Sequence, residues 1–229
     1  MLKDLKQRVA AANRDLVKAG LVTLTWGNVS GIDREKGLVV IKPSGVPYDE
    51  LQPECMVVVD MEGMVVEGKF KPSSDTPTHL VLYRAMETLG GIVHTHSRHA
   101  TTFAQARREI PCFGTTHADH FHGPVPVTRP LSEREVAENY EGYTGHVIVE
   151  RFRDLDPEAM PAVLVAGHAP FTWGKTAEKA LENSVALEAV AAMALGTWSI
   201  DRAAAELEPW VLEKHYQRKH GPAAYYGQK

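Results

Sequence analysis

The 229-residue sequence has only two cysteines, Cys55 and Cys112, and no CxxC spacing. That excludes a disulfide framework and leaves two reduced, packed thiols as the expectation. Long apolar runs are also missing. No stretch approaches the roughly 18 consecutive apolar residues of a membrane span, and the opening MLKDLKQRVAAANRDLVKAG is charged at helical spacing without the apolar core of a signal sequence. The expected location is therefore cytoplasmic. There is no surplus of positive charge either: 25 Lys and Arg stand against 29 Asp and Glu, for a net charge of −4. Neither nucleic acid nor an anionic membrane is attracted at long range, and an anionic small molecule would need a local basic pocket. Repeats, low-complexity tracts and linkers are absent, so one domain over 1–229 is the economical reading.

What the sequence does have is histidine. Of 11 imidazoles, seven fall between His79 and His122, in a chain whose 44% hydrophobic and 24% charged composition is otherwise that of an ordinary globular protein. The clustering marks a region where chemistry is expected.

Hydrophobic spacing sketches the elements. Leu2, Leu5, Val9, Ala12 and Leu16 recur every three or four residues, predicting a first helix that ends near Gly20. LVTLT, LVVIKPSG, MVVVD and MVVEG are short β-branched runs between Gly and Pro turns, predicting a meander of strands from Leu21 to Gly68. Ser73, Ser74 and Asp75 before Thr76-Pro77 predict a capped helix to about Leu89. GGIVHTH reads as a strand, SRHATTFAQARR as a helix, and HVIVE and AVLVAGH as further strands. Thr176 to about Leu207 reads as helical, and Pro209 starts one more helix to Lys219. The sum is an α/β domain in three layers, a central mixed, largely antiparallel sheet flanked by helices.

In a strand, alternate side chains share a face, so His94 and His96 of HTH project together and can reach one metal ion. His168, at the end of AVLVAGH, supplies a third imidazole. A three-nitrogen set favours zinc over magnesium or calcium, which prefer oxygen ligands. Asp75, with Ser73 and Ser74, sits at a helix start whose free N–H groups suit an anion, although a plain N-cap explains the same residues. Trp26-Gly27-Asn28 and Lys42-Pro43-Ser44-Gly45 are turns that can complete a phosphate cradle, or be no more than turns. Asp119, in the loop GTTHADHF, is a candidate for acid/base work. The tail KHYQRKHGPAAYYGQK is basic and aromatic, and on its own reads as a frayed terminus.

TWGNVSG, IKPSGV, KPSSDTPTH, GGIVHTHSRHA, GTTHAD, AGHAPFTWGK and the terminal KHYQRKHG…AYYGQ, in this order along essentially the whole chain, resemble the class II aldolase/adducin family, and within it the pentulose-phosphate 4-epimerases. The resemblance implies a zinc site of Asp75, His94, His96 and His168. It also implies a substrate and phosphate cradle from Gly27, Asn28, Ser44, Gly45, Ser73 and Ser74, with Asp119 and Tyr226 as acid/base residues. The implied reaction is the C4 epimerisation of L-ribulose 5-phosphate by retro-aldol cleavage and re-addition. The implied assembly is a homotetramer with sites at subunit interfaces, in which the tail from about 208 to 229 reaches a neighbour and His215 and Arg218 assist there. Family aldolases that cleave fuculose phosphate carry glutamate where this chain has Asp75. The shorter aspartate suits metal ligation and favours the epimerase over a class II aldolase, while the presence of all four ligands together with Asp119 and Tyr226 argues against the other alternative, a non-catalytic scaffold relative.

Overall fold

A computed structural model describes residues 2–225, so Tyr226 lies outside the described residues. Seven strands form one sheet in the order β4-β3-β2-β1-β5-β7-β6. They are β1 (Gly27–Asp33), β2 (Leu38–Ile41), β3 (Val57–Asp60), β4 (Val65–Glu67), β5 (Gly91–Thr95), β6 (Ala162–Leu164) and β7 (Pro170–Gly174). Every pairing of named strands is antiparallel, so the largely antiparallel sheet expected above is antiparallel throughout its named strands. The parallel contact Val127↔Leu164 is an isolated bridge.

The helices are α1 (Lys3–Lys18), α2 (Thr76–Ala85), α3 (Arg98–Ala106), α4 (Thr115–Ala118), α5 (Glu133–Arg151), α6 (Ala177–Ile200) and α7 (Pro209–His220). Both faces of the sheet are covered, which explains why LVVI and VVVD read as continuous apolar runs instead of alternating ones. Val39, Val57 and Val59 pack with Leu82, Phe103, Ile148 and Leu187 on one face. Val40, Val58 and Val93 pack with Val9 and Leu16 of α1 on the other. Among the described residues no helix is long and apolar enough to cross a membrane.

Two expected strands do not form. LVTLT is irregular, and Leu24 takes a φ of +52°, a left-handed conformation through which a strand cannot continue. The strand begins instead at Gly27, in a glycine-containing segment that propensity disfavours, and it occupies the sheet's centre. HVIVE is helical, part of α5. Ser132 and Glu135 form a reciprocal capping box at its start, and buried Val147 and Ile148 give β-branched residues an apolar home on a helix. The close packing of α2 on α5 passes through Gly145, where a Cβ would stand 2.7 Å from the Val81 Cβ. Helix α6 stops at Ile200 rather than near Leu207, and α2 at Ala85 rather than Leu89.

Candidate active site

Strand β5 is paired with β1 on one side and β7 on the other, with His94 opposite Asn28 and Phe171. Its period of two sends His94 and His96 to the same face. His168 does not end a strand, as expected above, but sits in the tight turn joining β6 to β7, closed by its own backbone N–H donating to the Val165 carbonyl at 2.9 Å. The turn delivers it to the same place. The three imidazole centroids stand 4.9–5.0 Å apart, and one ligand atom from each lies within 4.8 Å of the others. This group could hold one metal ion.

The surroundings suit ligation. His94 is buried and stacked on Phe171 at 4.2 Å, and its Nδ1 lies 3.0 Å from the Pro170 carbonyl. A carbonyl only accepts, so Nδ1 carries the proton and the Nε2 lone pair is free for a metal. The Tyr140 hydroxyl stands 3.3 Å from His168 Nδ1. Burial, reinforced by neighbouring imidazoles, pushes His94 and His168 down to about 3. Burial also lowers His96, against the opposing pull of the Asp75 charge. All three are therefore neutral imidazoles at pH 7, the form in which a ring nitrogen can ligate a metal.

Asp75 occupies the residue before α2, yet its side chain makes no capping hydrogen bond, which corrects the simple N-cap reading. Its carboxylate accepts from Asn28 Nδ2 at 2.6 Å, while Ser73 Oγ accepts from the same nitrogen at 3.2 Å and from the Asp75 amide at 3.4 Å. Asp75 lines the same cavity as the histidines but is not part of their compact group.

That cavity, about 510 Å³, is also lined by Gly27, Asn28, Ser44, Gly45, Ser73 and Ser74, so the structure brings together every residue expected in the cradle. Gly27 is required at its position. Its φ is +131°, and a Cβ would stand 2.9 Å from the His94 carbonyl oxygen.

Lys42, which the sequence reading passed over as part of a turn, lines the cavity too. It is buried, its ammonium lies 5.0 Å from the Tyr48 ring centroid, and among the described residues the ammonium's one hydrogen bond is to the Pro43 carbonyl at 3.2 Å. Burial alone lowers it to about 8. A buried cation without a carboxylate partner is costly unless an anionic ligand completes it. The only available signal was a lysine immediately before a Pro-Ser-Gly turn. Lys42→Met is expected to raise the KM of a phosphorylated substrate about 10- to 100-fold, the loss of one charge-assisted hydrogen bond of about 1.5–3 kcal/mol. Steady-state kinetics check this, and an unchanged KM would remove Lys42 from the cradle.

Asp119 is elsewhere. It follows α4 and does not line the cavity. Its carboxylate accepts from Arg218 Nη2 at 2.6 Å and Nε at 3.0 Å and pairs with His215 Nδ1 at 3.1 Å, while His220 Nε2 donates to its backbone carbonyl at 2.9 Å. Burial raises its pKa, but the hydrogen bonds from Arg218 and His215 outweigh that and hold it below the usual carboxylate range. Within one chain, then, His215 and Arg218 tie helix α7 to Asp119. Other histidines of the crowded stretch have partners outside the cavity: His99 with Glu188, His117 with the Gly123 carbonyl and His122 with Glu213.

The family model of the class II aldolase and adducin N-terminal domain matches residues 7–195. An L-ribulose-5-phosphate 4-epimerase, UlaF, of Salmonella paratyphi B is 55% identical over 228 residues, covering 100% of both chains. Among solved structures, an L-fuculose 1-phosphate aldolase superposes with a TM-score of 0.79 at 27% identity, covering 94% of this chain and 95% of its own. The L-fuculose 1-phosphate aldolase of Glaciozyma antarctica gives 0.78 at 18%, with 98% and 85% covered. A whole-length match in sequence, a shared fold and a three-histidine cavity agree: the chain belongs to the class II aldolase and adducin family.

Proposed function

We propose that this chain interconverts L-ribulose 5-phosphate and D-xylulose 5-phosphate by inverting C4, with one zinc ion held by His94, His96, His168 and Asp75. The observation that carries this reading is the three-imidazole group opening onto a cavity with Lys42 and two serine turns, in a chain 55% identical along its length to an epimerase of that substrate. Three nitrogen donors suit zinc better than magnesium or calcium, and the Pro170 carbonyl on His94 Nδ1 is the outer partner that orients a ligating imidazole. Bound there, zinc supplies Lewis acidity to the ketose oxygens.

The substrate dictates the rest. The C4 proton is not α to the C2 carbonyl, so removing it gives no stabilised carbanion. Breaking C3–C4 instead gives the enediolate of dihydroxyacetone and glycolaldehyde phosphate. When the aldehyde turns and the bond re-forms on its other face, C4 is inverted without redox chemistry. Ser44, Gly45, Ser73, Ser74 and Lys42 hold the phosphate while the aldehyde rotates, because its escape would make the reaction an aldolase cleavage. Gly27 and Asn28 line the wall beside His94.

The C4 hydroxyl gives up its proton when the aldehyde forms and regains one on re-addition from the opposite side, so one acid/base group is needed on each side. Asp119 and Tyr226 take these roles from a neighbouring subunit. The support is that Asp119 lies off its own chain's cavity and is bound to α7, the helix that leads into the tail carrying Tyr226. The assembly is a homotetramer of a cytoplasmic enzyme, with each site completed across an interface.

The test is a coupled assay for D-xylulose 5-phosphate formed from L-ribulose 5-phosphate, with a trap for free aldehyde. Epimer forming faster than released aldehyde is expected. Aldehyde release outpacing epimerisation would instead favour the aldolase reading, which the likeness to an L-fuculose 1-phosphate aldolase keeps in view.

A further inference from the structure

Beneath the wall of the cavity lies a chain of buried polar groups that the proposed chemistry does not use. The Tyr83 hydroxyl is 2.8 Å from Ser30 Oγ, and Ser30 Oγ is 2.7 Å from His79 Nδ1. All three residues are fully buried. Two periodicities place them. On β1, Ser30 follows Asn28 by two residues and shares its face, and on α2, His79 follows Asp75 by four and shares its face. Asn28 therefore meets Asp75 as Ser30 meets His79.

The proton positions follow from the inventory of donors and acceptors. Among the described residues the acceptor in reach of the Tyr83 hydroxyl is Ser30 Oγ, so the phenol donates to the serine. The serine proton then goes to His79 Nδ1, which must be the bare nitrogen, and the imidazole proton sits on Nε2. Among the described residues that Nε2–H has no partner, and neither has Asn28 Oδ1, although both atoms are buried. One orphan is a donor and the other an acceptor. The two residues belong to neighbouring contacts between β1 and α2, Asn28 with Asp75 and Ser30 with His79, and a bound water is the usual partner of buried polar atoms left without one.

We infer that a buried water joins His79 Nε2–H to Asn28 Oδ1, which makes His79 a positioning residue for the active site. The relay from Tyr83 through Ser30 and His79 locks the Asn28 amide with its oxygen inward and its nitrogen outward. In that orientation Nδ2 donates to Asp75 at 2.6 Å and holds the carboxylate beside the three histidines. Without the relay the amide is free to turn over and present its oxygen to the carboxylate, which repels it. The effect on turnover rests on the proposed function; the proton arrangement does not.

Side-chain 15N NMR of the full-length protein tests the arrangement directly. Wild type is expected to show His79 as the Nε2–H tautomer between pH 6 and 8, and an Nδ1–H tautomer would overturn the inference. In the coupled assay, His79→Phe is expected to lower kcat about 10- to 100-fold, the usual loss when an outer partner of a ligand is removed. His79→Gln, which keeps a donor, recovers most of it. Combining His79→Phe with Asn28→Ala should add little to Asn28→Ala alone, since both break one relay. Additive losses, or a lower Tm with kcat unchanged, would show a purely structural histidine. Should His79→Phe not fold, Ser30→Ala breaks the relay at its other end and is read in the same way. Absence of epimerase activity in wild type would remove the proposed function, while the NMR result still decides the tautomer.

Discussion

Subunits carrying His96→Asn and subunits carrying Asp119→Asn, each inactive alone, are expected to regain about a quarter of full turnover when mixed in equal amounts and reassembled. The fraction follows from random assembly of a closed ring in which each site takes its histidines from one subunit and Asp119 from the next, about half times half. The basis is the position of Asp119. Its carboxylate is fixed by Arg218 and His215 of α7, and it does not line the cavity formed by His94, His96 and His168 of the same chain. In the reaction proposed above, these two features, separated within a subunit, meet across a boundary. Asp119→Asn alone should keep its metal while losing turnover, because the substitution leaves the three imidazoles untouched, and metal analysis of the purified variant checks this. Mixtures that stay inactive would place both groups in one subunit and require α7 to rearrange within the chain.

Removing metal with a chelator should abolish turnover, by more than about a hundredfold, with recovery on adding zinc. It should also lower the Tm. A ligand present at about 100 times its Kd stabilises the folded state by about 2.7 kcal/mol, so its loss corresponds to several degrees in a domain of this size. The metal-free protein is further expected to lose stability on acidification. His79, His94 and His168 are pushed down to about 3 and His117 to about 4, in each case mainly by burial. Below about pH 6.5 the unfolded chain takes up protons that these folded imidazoles refuse, which favours unfolding. Stability is complete above that pH and drains away as pH falls toward 4. Thermal melts of chelated protein across pH 4–8 provide the measurement. A Tm indifferent to pH in that window would mean that these histidines are not buried neutral, and a chelated protein with full activity would remove the metal from the reaction.

Much of the candidate site was legible in the sequence. The HxH pair is readable because strand periodicity is local, and two residues of spacing suffice to put both imidazoles on one face. The Ser-Gly and Ser-Ser-Asp turns were readable as turns able to hold an anion, and the motif order carried the family. Lys42 was not legible. Its composition is that of any surface lysine, and only the packing of the loop after β2 buries it beside Tyr48. His79 was hidden in the same way, since nothing in PTH distinguishes a histidine facing solvent from one facing Ser30.

Secondary structure erred where local preference and tertiary context disagree. HVIVE has the composition of a strand, but the capping box upstream and the apolar face of α2 make a helix the better burial for Val147 and Ile148. The central strand β1 was concealed by its glycines, because propensity penalises the residues that let β1 pass close to its neighbours.

The sequence by itself determined the single α/β domain, the family, the short apolar strands of the sheet and the identity of the three metal-binding candidates, because each depends on residue type and short-range spacing. Only the tertiary structure decided that His168 reaches the others from a hairpin turn, that Asp75 turns away from its helix to meet Asn28, that Lys42 is a buried cation in the cavity, and that Asp119 belongs with α7 instead of with the histidines. Those are contacts between residues tens of positions apart. Their energies come from burial and complementary charge, which no window of local sequence contains.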